Sequence, residues 1–300
     1  MSIQEKPEIV CARAAAGEGV EGLIIKKRKL AENIYLMAIY APRIAKAALP
    51  GQFVIVRAGE YGERVPLTIS DYDAVCGTVT LVTQVVGVSS RLICRKAKGE
   101  RLTDIAGPLG RPSEFVHKTP DELKAVRWLF VGGGLGAAPV YPQVKWLHAR
   151  GATVDVVVGA KSASLLLFRK EMQAVCSALH IVTDDGSAGQ KGLVTDVVRR
   201  LVEEEGARYD RVVAIGPMIM MKFVAQLAQS YQLPSVVSLN TLMVDGTGMC
   251  GACRVTVGGK TQFACVDGPE FDGALVDFDE AMRRQTMYRP METERYQATR

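Results

Sequence analysis

One aspartate and three cysteines at fixed spacing constrain this sequence more than any other feature. Cys250, Cys253 and Cys265 are three of the seven cysteines, and they fall within sixteen residues. The plant-type [2Fe–2S] ligand pattern is C-x4-C-x2-C with a fourth cysteine at a variable distance. When this pattern is aligned with the segment, its last three ligands fall on these cysteines and its first falls on Asp245. The chain therefore reads D-x4-C-x2-C-x11-C.

The spacing alone leaves two alternatives to an iron–sulfur cluster open. Asp245 together with Cys250, Cys253 and Cys265 could hold a tetrahedral zinc ion. A glycine-rich strand–turn–strand could also carry buried free cysteines without any metal. Nearby glycines permit the tight turns that bring several ligands to one point, and C-x2-C beside glycines with a third cysteine is a specific pattern. We therefore interpret the four residues as ligands of a [2Fe–2S] cluster.

Length and composition limit the classes of protein to which this chain can belong. Three hundred residues predict about two or three domains, and 48% hydrophobic residues suffice for a sizeable core. No apolar run reaches 18 residues, so we expect no membrane span. The net charge is only +5, and the single basic run, residues 26–29, adjoins an apolar strand, so we expect no nucleic-acid partner. The odd number of cysteines and their metal-like spacing favour a reducing, cytoplasmic location.

The pattern of predicted strands and helices changes twice along the chain. Residues 1–20 read as an N-terminal extension, and short β-runs separated by turn residues predict an antiparallel barrel over 21–115. Strands and helices then alternate over 120–230, with one helix expected at 165–178, which predicts a parallel, doubly wound sheet. Residues 231–300 hold the cysteines and a helix-like tail. The predicted fold class is thus multidomain, with a β-barrel, an α/β domain and a small C-terminal [2Fe–2S] module.

The second domain carries glycines where a dinucleotide would approach. The run G-G-G-L-G at 132–136 follows a strand and opens a helix, so bare backbone and free N–H groups could receive a pyrophosphate. A tight strand–helix turn would need the same glycines. Asp185 ends another strand on this edge, where it could bond a ribose or cap the turn. The candidate residues of this site are Gly133, Gly134, Gly136, Asp185, Gly216, Pro217 and Met218.

The barrel carries two similar features. Residues 64–70 combine an arginine with threonine and serine hydroxyl groups in an otherwise apolar run. Residues 87–90 precede a short helical segment whose N-terminus could bind an anion. The candidate residues are Arg64, Pro66, Leu67, Thr68, Gly87, Val88, Ser89 and Ser90.

With these motifs in this order, the chain resembles the ferredoxin–NADP reductase superfamily of flavoproteins. In that superfamily a barrel binds FAD through an R-x-Y-[ST]-like strand and a G-x-x-[ST] helix start. An α/β domain then binds a nicotinamide dinucleotide through a glycine-rich turn and a C-G-P-like motif. The order of units is similar to the electron-transfer subunit of class B dihydroorotate dehydrogenase. It is closer to the small subunit of NADH-dependent ferredoxin:NADP oxidoreductase (sulfide dehydrogenase), whose cluster is held by one Asp and three Cys.

The sequence departs from that superfamily at two positions. One extra residue separates Arg64 from Thr68, so Thr68 matches the hydroxyl position while the arginine is displaced. Ile215 stands where many relatives have the cysteine of C-G-P. Lys161 follows the second strand of the α/β domain and could receive a 2′-phosphate, so NADP(H) is not excluded beside NAD(H).

The resemblance implies an oxidoreductase subunit in which FAD takes a hydride from NAD(H) and single electrons leave through the [2Fe–2S] cluster. It implies a larger flavoprotein and iron–sulfur partner subunit, and a complex that couples NADH, NADPH and ferredoxin by electron bifurcation. Two alternatives are a subunit of another complex, of dihydroorotate dehydrogenase or hydrogenase type, and a non-catalytic zinc- or flavin-binding module. No side chain is expected to be catalytic, because the flavin carries the chemistry. The histidines at 117, 148 and 180 are expected to be structural.

Overall fold

The first part of the chain forms an antiparallel sheet. The computed structural model describes residues 21–60 and 62–298, so the predicted N-terminal extension lies outside the described residues. The six strands of this sheet are arranged in the order β1-β2-β5-β4-β3-β6. They are β1 (Ile24–Ala31), β2 (Ile34–Tyr40), β3 (Phe53–Arg57), β4 (Val65–Asp73), β5 (Thr78–Gln84) and β6 (Asp104–Leu109). The basic run lies on β1, an edge strand, where lysine side chains reach solvent.

The second sheet has seven strands in the order β10-β9-β8-β7-β11-β12-β15. All its pairings are parallel except that of β12 with β15. Its strands are β7 (Arg127–Gly133), β8 (Thr153–Ala160), β9 (Ala178–Thr183), β10 (Gln190–Lys191), β11 (Arg211–Ile215), β12 (Ser235–Ser238) and β15 (Glu270–Asp272). The segment beyond residue 231 therefore adds two strands to this sheet. It also forms the hairpin of β13 (Arg254–Val257) and β14 (Lys260–Phe263).

Helices cover both faces of the second sheet, because alternate strand residues are apolar on each side. On one face Phe130 packs among the residues of a helix that follows β7, and on the other Val131 packs with helices that follow β10 and β11. The helices are α1 (Pro42–Ala47), α2 (Val88–Arg95), α3 (Pro120–Lys124), α4 (Ala137–His148), α5 (Arg169–Gln173), α6 (Val194–Arg199), α7 (Met218–Ser230), α8 (Phe278–Gln285) and α9 (Arg289–Ala298). This doubly wound arrangement is the predicted one.

The helix expected at 165–178 is much shorter in the structure. The segment forms a 3₁₀ turn at Ala163–Leu165, an extended apolar stretch and then α5, and β9 begins at Ala178. Phe168 precedes α5 with a left-handed backbone (φ 55°), so a helix cannot run continuously through it. Its buried ring lies 5.3 Å from that of Tyr141, so in this conformation Phe168 packs against α4.

One hydrophobic core joins all three parts of the chain. It contains Phe53 and Ile55 of the first sheet, Val131 of the second, and Cys253 and Cys265. The cysteine-bearing segment is therefore built into the body of the protein, and the domain limits stay a prediction. Within the described ranges, no helix is long and apolar enough to cross a membrane.

Candidate cofactor sites

Two of the four predicted cluster ligands lie side by side in the core. The Sγ atoms of Cys253 and Cys265 are 3.2 Å apart, and the Cys265 N–H donates to the Cys253 sulfur at 3.4 Å. The hairpin β13–β14 holds them together, because it starts directly after Cys253 and ends shortly before Cys265. Burial and the neighbouring Cys253 thiol raise the pKa of Cys265 to about 12. A metal that binds Cys265 therefore has to displace its thiol proton.

The other two predicted ligands are neighbours at the surface. The Asp245 carboxylate accepts hydrogen bonds from the N–H groups of Thr247 and Cys250, each at 2.8 Å. The Thr247 N–H, followed by that of Cys250, lowers the pKa of Asp245. The carboxylate is thus ionised near neutral pH and adjoins the backbone of the exposed Cys250. Asp245 thereby also caps its own turn.

The four predicted ligands lie in two separate pairs and do not surround one point. Across residues 21–60 and 62–298, no three His, Cys, Asp or Glu side chains lie close enough to hold a metal ion. The donor set nevertheless fits an iron–sulfur group, because soft thiols supply three of the four positions, two of them on the glycine-rich loop and the third just after the hairpin. The pairs are Asp245 with Cys250 and Cys253 with Cys265.

The cysteine loop rests directly on the first sheet. A side chain at Gly246 would meet Ile55 Cδ1 at 2.6 Å and Leu109 Cδ1 at 2.8 Å, so only glycine permits this approach. Arg64, from the predicted FAD strand, donates from Nη2 to the backbone oxygen of Asp245 at 3.4 Å. The structure therefore places the predicted flavin-binding strand against the predicted cluster loop. Sequence reasoning missed this contact, because nothing local in either segment indicates it.

In the first sheet, the predicted FAD residues lie on β4 and at the start of α2. Thr68 is half-buried on β4 and pairs with Phe53. Ser90 is buried, and its Oγ accepts from the N–H groups of Val86 and Gly87, both at 2.9 Å. Ser90 therefore builds the turn, and its hydroxyl is used within the protein. At Gly87, by contrast, an added Cβ would meet nothing within 4 Å, so backbone there is open to a ligand.

An acidic side chain already occupies the start of α2. The Ser89 hydroxyl donates to Glu63, and the same carboxylate pairs with Arg295 of α9 at 2.6 Å. The Arg91 guanidinium lies 4.7 Å from the centre of the Tyr296 ring. At this helix N-terminus the Ser89 hydroxyl therefore already donates to an anionic group. No local pattern indicates these contacts, since Glu63 and Arg295 are 232 residues apart.

The glycines of the second sheet divide into two groups. An added Cβ at Gly136 would meet the Ile215 oxygen at 2.0 Å, and one at Gly133 would meet Met220 Sδ at 2.2 Å. Gly216 likewise lies against Gly133. These three glycines thus pack the end of β7 onto the end of β11. Gly134 is different, because it has φ +55° and nothing within 4 Å of an added Cβ. Of the four, Gly134 is the one whose missing side chain leaves open space.

The remaining dinucleotide candidates lie on the same edge of the sheet. Asp185 Oδ1 accepts from the Ser187 hydroxyl at 2.6 Å and from its N–H at 2.9 Å, which lowers the pKa of Asp185. The Ser187 Oγ in turn accepts from Ala163 N at 2.7 Å, so the loops after β8 and β9 are tied together. Pro217 precedes α7, and the Met218 side chain is buried in the core.

The antiparallel sheet, the doubly wound sheet and the cysteine loop together have the layout of flavin-dependent NAD(P)H reductases that carry an iron–sulfur unit. A cytochrome P450 reductase from Amycolatopsis shares the fold, with a TM-score of 0.58 at 21% identity, over 71% of this chain and 66% of that one. Residues 240–277 match the iron–sulfur cluster binding domain of dihydroorotate dehydrogenase B.

More similar proteins identify the family. A Thermotoga maritima protein, named as a homologue of the electron transfer subunit of dihydroorotate dehydrogenase B (NAD(+)), is 44% identical over 91% of this chain and 94% of its own. The chain therefore belongs to the family of dihydroorotate dehydrogenase B electron transfer subunits. A chain of an NADH-dependent reduced ferredoxin–NADP oxidoreductase, whose structure was studied for flavin-based electron bifurcation, is 42% identical. It matches with a TM-score of 0.86, over 93% of this chain and 98% of that one.

These comparisons confirm several predictions from the sequence. The fold class, the assignment to flavin-dependent oxidoreductases and the resemblance to these electron-transfer subunits are all correct. The cofactor set of FAD, NAD(H) and an iron–sulfur cluster is confirmed as well. The chain is an electron-transfer subunit.

Proposed function

We propose that this subunit passes electrons between NAD(H), FAD and a [2Fe–2S] cluster within a complex that couples NADH, NADPH and ferredoxin by electron bifurcation. The contact of Gly246 with Ile55 and Leu109 carries the proposal, because it brings the cluster loop onto the flavin-binding sheet. The likeness to the ferredoxin–NADP oxidoreductase chain supports this kind of complex. The partner would be a larger flavoprotein subunit with further clusters.

Within this proposal, each pair of ligands holds one iron of the cluster. Cys253 and Cys265 bind the buried iron, and Asp245 and Cys250 bind the iron nearer the surface. The support is the pairing of these residues, with 3.2 Å between the two buried sulfurs and 2.8 Å between the Cys250 N–H and the Asp245 carboxylate. When bound, the cluster would accept one electron at a time.

The chain's own residues hold and orient the two nucleotides. Open backbone at Gly87 and the first turn of α2 would receive the FAD diphosphate, with the Ser89 hydroxyl turned from Glu63 to the phosphate. Thr68 on β4 would bond the flavin. Gly134 would let the dinucleotide diphosphate approach the start of α4, and Asp185 would accept a hydrogen bond from a ribose hydroxyl. Hydride transfer between the two nucleotides needs no catalytic side chain, because the flavin supplies that chemistry when bound.

The match of residues 240–277 favours a second candidate, electron transfer to a dihydroorotate dehydrogenase. Purification of the chain with its natural partner subunits tests the two functions together. The bifurcation proposal predicts NADH- and ferredoxin-dependent reduction of NADP⁺ by the purified complex. Dihydroorotate-dependent reduction of NAD⁺, without any ferredoxin activity, would reject it and establish the second candidate.

A charge placed at Gly134 tests the dinucleotide site. Asp and Asn both tolerate a left-handed backbone and are nearly equal in size, so they differ mainly in charge. We expect Gly134→Asp to raise the KM for NADH by about tenfold or more relative to Gly134→Asn, as charge repulsion of about 1.4 kcal/mol would do. FAD and iron content should be equal in both variants. Equal KM values for the two would place the diphosphate elsewhere.

A further inference from the structure

The segment that follows Cys265 connects all three parts of the chain. The Gly268 oxygen accepts from Arg111 N at 2.6 Å, in the linker that follows the first sheet. The Pro269 oxygen accepts from Leu239 N at 2.9 Å, just beyond β12. At Gly51, an added Cβ would meet Glu270 Oε1 at 3.0 Å. This short segment, residues 268–270, is therefore clamped between the flavin-binding sheet and the dinucleotide-binding sheet.

The Glu270 carboxyl group also links these units, through hydrogen bonds with two side chains. Its Oε1 accepts from Ser113 Oγ at 3.0 Å, in the linker, and from Gln143 Nε2 at 2.8 Å, on α4. Gln143 is buried, and its own Oε1 has no hydrogen-bond partner among the described residues. A buried amide oxygen without a donor destabilises the folded state, because it has lost its hydrogen bonds to water. A proton on the free oxygen of Glu270 would satisfy it and complete a doubly hydrogen-bonded acid–amide pair.

The charges around Glu270 also favour the protonated acid. Within the described ranges, no lysine, arginine or histidine forms an ion pair with it. The charged group that acts on it is Glu114, which pairs with Arg211 at 2.9 Å. Arg111, on the linker, is paired with Asp267 at 3.6 Å. Burial, together with the Glu114 charge and against the two donated hydrogen bonds, raises the pKa of Glu270 to about 7.

We propose that Glu270 is a positioning residue that holds a proton and, by its acid–amide pair with Gln143, fixes the cluster-bearing segment against both nucleotide-binding units. This inference rests on the proposed electron-transfer function. When Glu270 loses this proton, its carboxylate oxygen and the Gln143 amide oxygen repel each other, because no hydrogen lies between them. The attachment of the cluster loop to the flavin-binding sheet weakens as a result, and electron transfer from flavin to cluster slows.

The variant Glu270→Gln separates this role from simple packing. The amide keeps the shape, accepts from Ser113 and Gln143, and donates permanently to the Gln143 oxygen, so it mimics the protonated acid at every pH. Asp272→Asn is the matched control, because Asp272 lies on the same strand, is exposed, and uses its carboxylate to accept from Ala274 N at 2.9 Å, within its own turn. Both substitutions remove one carboxyl group.

Two measurements on the holoprotein test the proposal across the pH range around 7. Infrared difference spectra should show a protonated carboxyl band that titrates in the wild type and in Asp272→Asn, and is absent from Glu270→Gln. Stopped-flow electron transfer from NADH-reduced flavin to the cluster should slow by about fivefold, the low end of coupling between sites, as pH rises through 7 in the same two proteins. In Glu270→Gln the rate should stay at its acid-side value.

Either measurement can overturn the proposal. An identical infrared spectrum in the wild type and Glu270→Gln means that Glu270 carries no proton. An infrared band that titrates without a change in the electron-transfer rate means that the proton does not position the cluster. If the purified chain contains no flavin or cluster, the proposed function fails, while the infrared result still decides the state of Glu270.

Discussion

Replacement of Cys253 by alanine should remove the iron–sulfur cluster while leaving flavin reduction by NADH intact. Cys253 is 1% exposed, and its sulfur lies 3.2 Å from that of Cys265. The alanine leaves Cys265 without its partner in the buried pair. Loss of a supporting group of a metal site costs 10–100-fold, so we expect loss of a ligand to reduce electron transfer through the cluster by at least ~100-fold. Iron and sulfide analysis and EPR measure the cluster, and anaerobic bleaching of the flavin by NADH measures the retained step.

Cys176→Ala is the control for that experiment. Cys176 is a free thiol too, but it is half-buried beside α5 and packs in a different part of the core from Cys253 and Cys265. This variant should keep its full iron content and its EPR signal. If Cys253→Ala also keeps both, the cysteines of the loop are structural and the cluster proposal is wrong.

Asp245→Cys should preserve the cluster and lower its midpoint potential. A thiolate donates more charge to iron through covalency than a carboxylate does, so the variant stabilises the oxidised cluster. We expect a shift on the order of 100 mV, judged from the rise that accompanies the opposite kind of change, the exchange of two cysteine ligands for histidines. The EPR spectrum should change with it, because the ligand field of one iron changes. A redox titration monitored by EPR measures both quantities.

Asp245→Asn distinguishes a ligand from a turn cap. The asparagine oxygen can still accept from Thr247 N, which now donates to the carboxylate at 2.8 Å. If Asp245 only caps the turn, Asp245→Asn and Asp245→Cys should both leave the cluster potential and stability unchanged. If it is a ligand, Asp245→Asn should make the cluster labile to chelators. Equal chelator resistance in Asp245→Asn and the wild type would exclude Asp245 as a ligand.

The order of structural units was predictable because local sequence encodes it. Alternating β-branched runs predicted the first sheet, and strand–helix alternation predicted the second with helices on both faces. The helix predicted over 165–178 was wrong in extent, because the apolar run before Phe168 is extended and packs into the core. Periodicity cannot distinguish such a run from a buried helical segment.

The candidate site could be predicted from the sequence only where its residues lie close together along the chain. The spacing of Asp245, Cys250 and Cys253 lies within nine residues, and it correctly located an iron–sulfur binding unit. The contacts that organise the site join distant segments: Arg64 and Asp245 are 181 residues apart, and Gln143 and Glu270 are 127 apart. Only tertiary packing brings these side chains together. No spacing rule in a single sequence encodes that information.

An anaerobic titration of the purified holoprotein with NADH tests the central claim most directly. If this subunit passes electrons from NADH through FAD to the cluster, flavin absorption should bleach and the EPR signal of a reduced [2Fe–2S] cluster should follow. In Cys253→Ala the flavin should still bleach without that signal. A wild-type protein whose flavin is reduced while the cluster stays oxidised, at potentials that permit its reduction, would contradict the account.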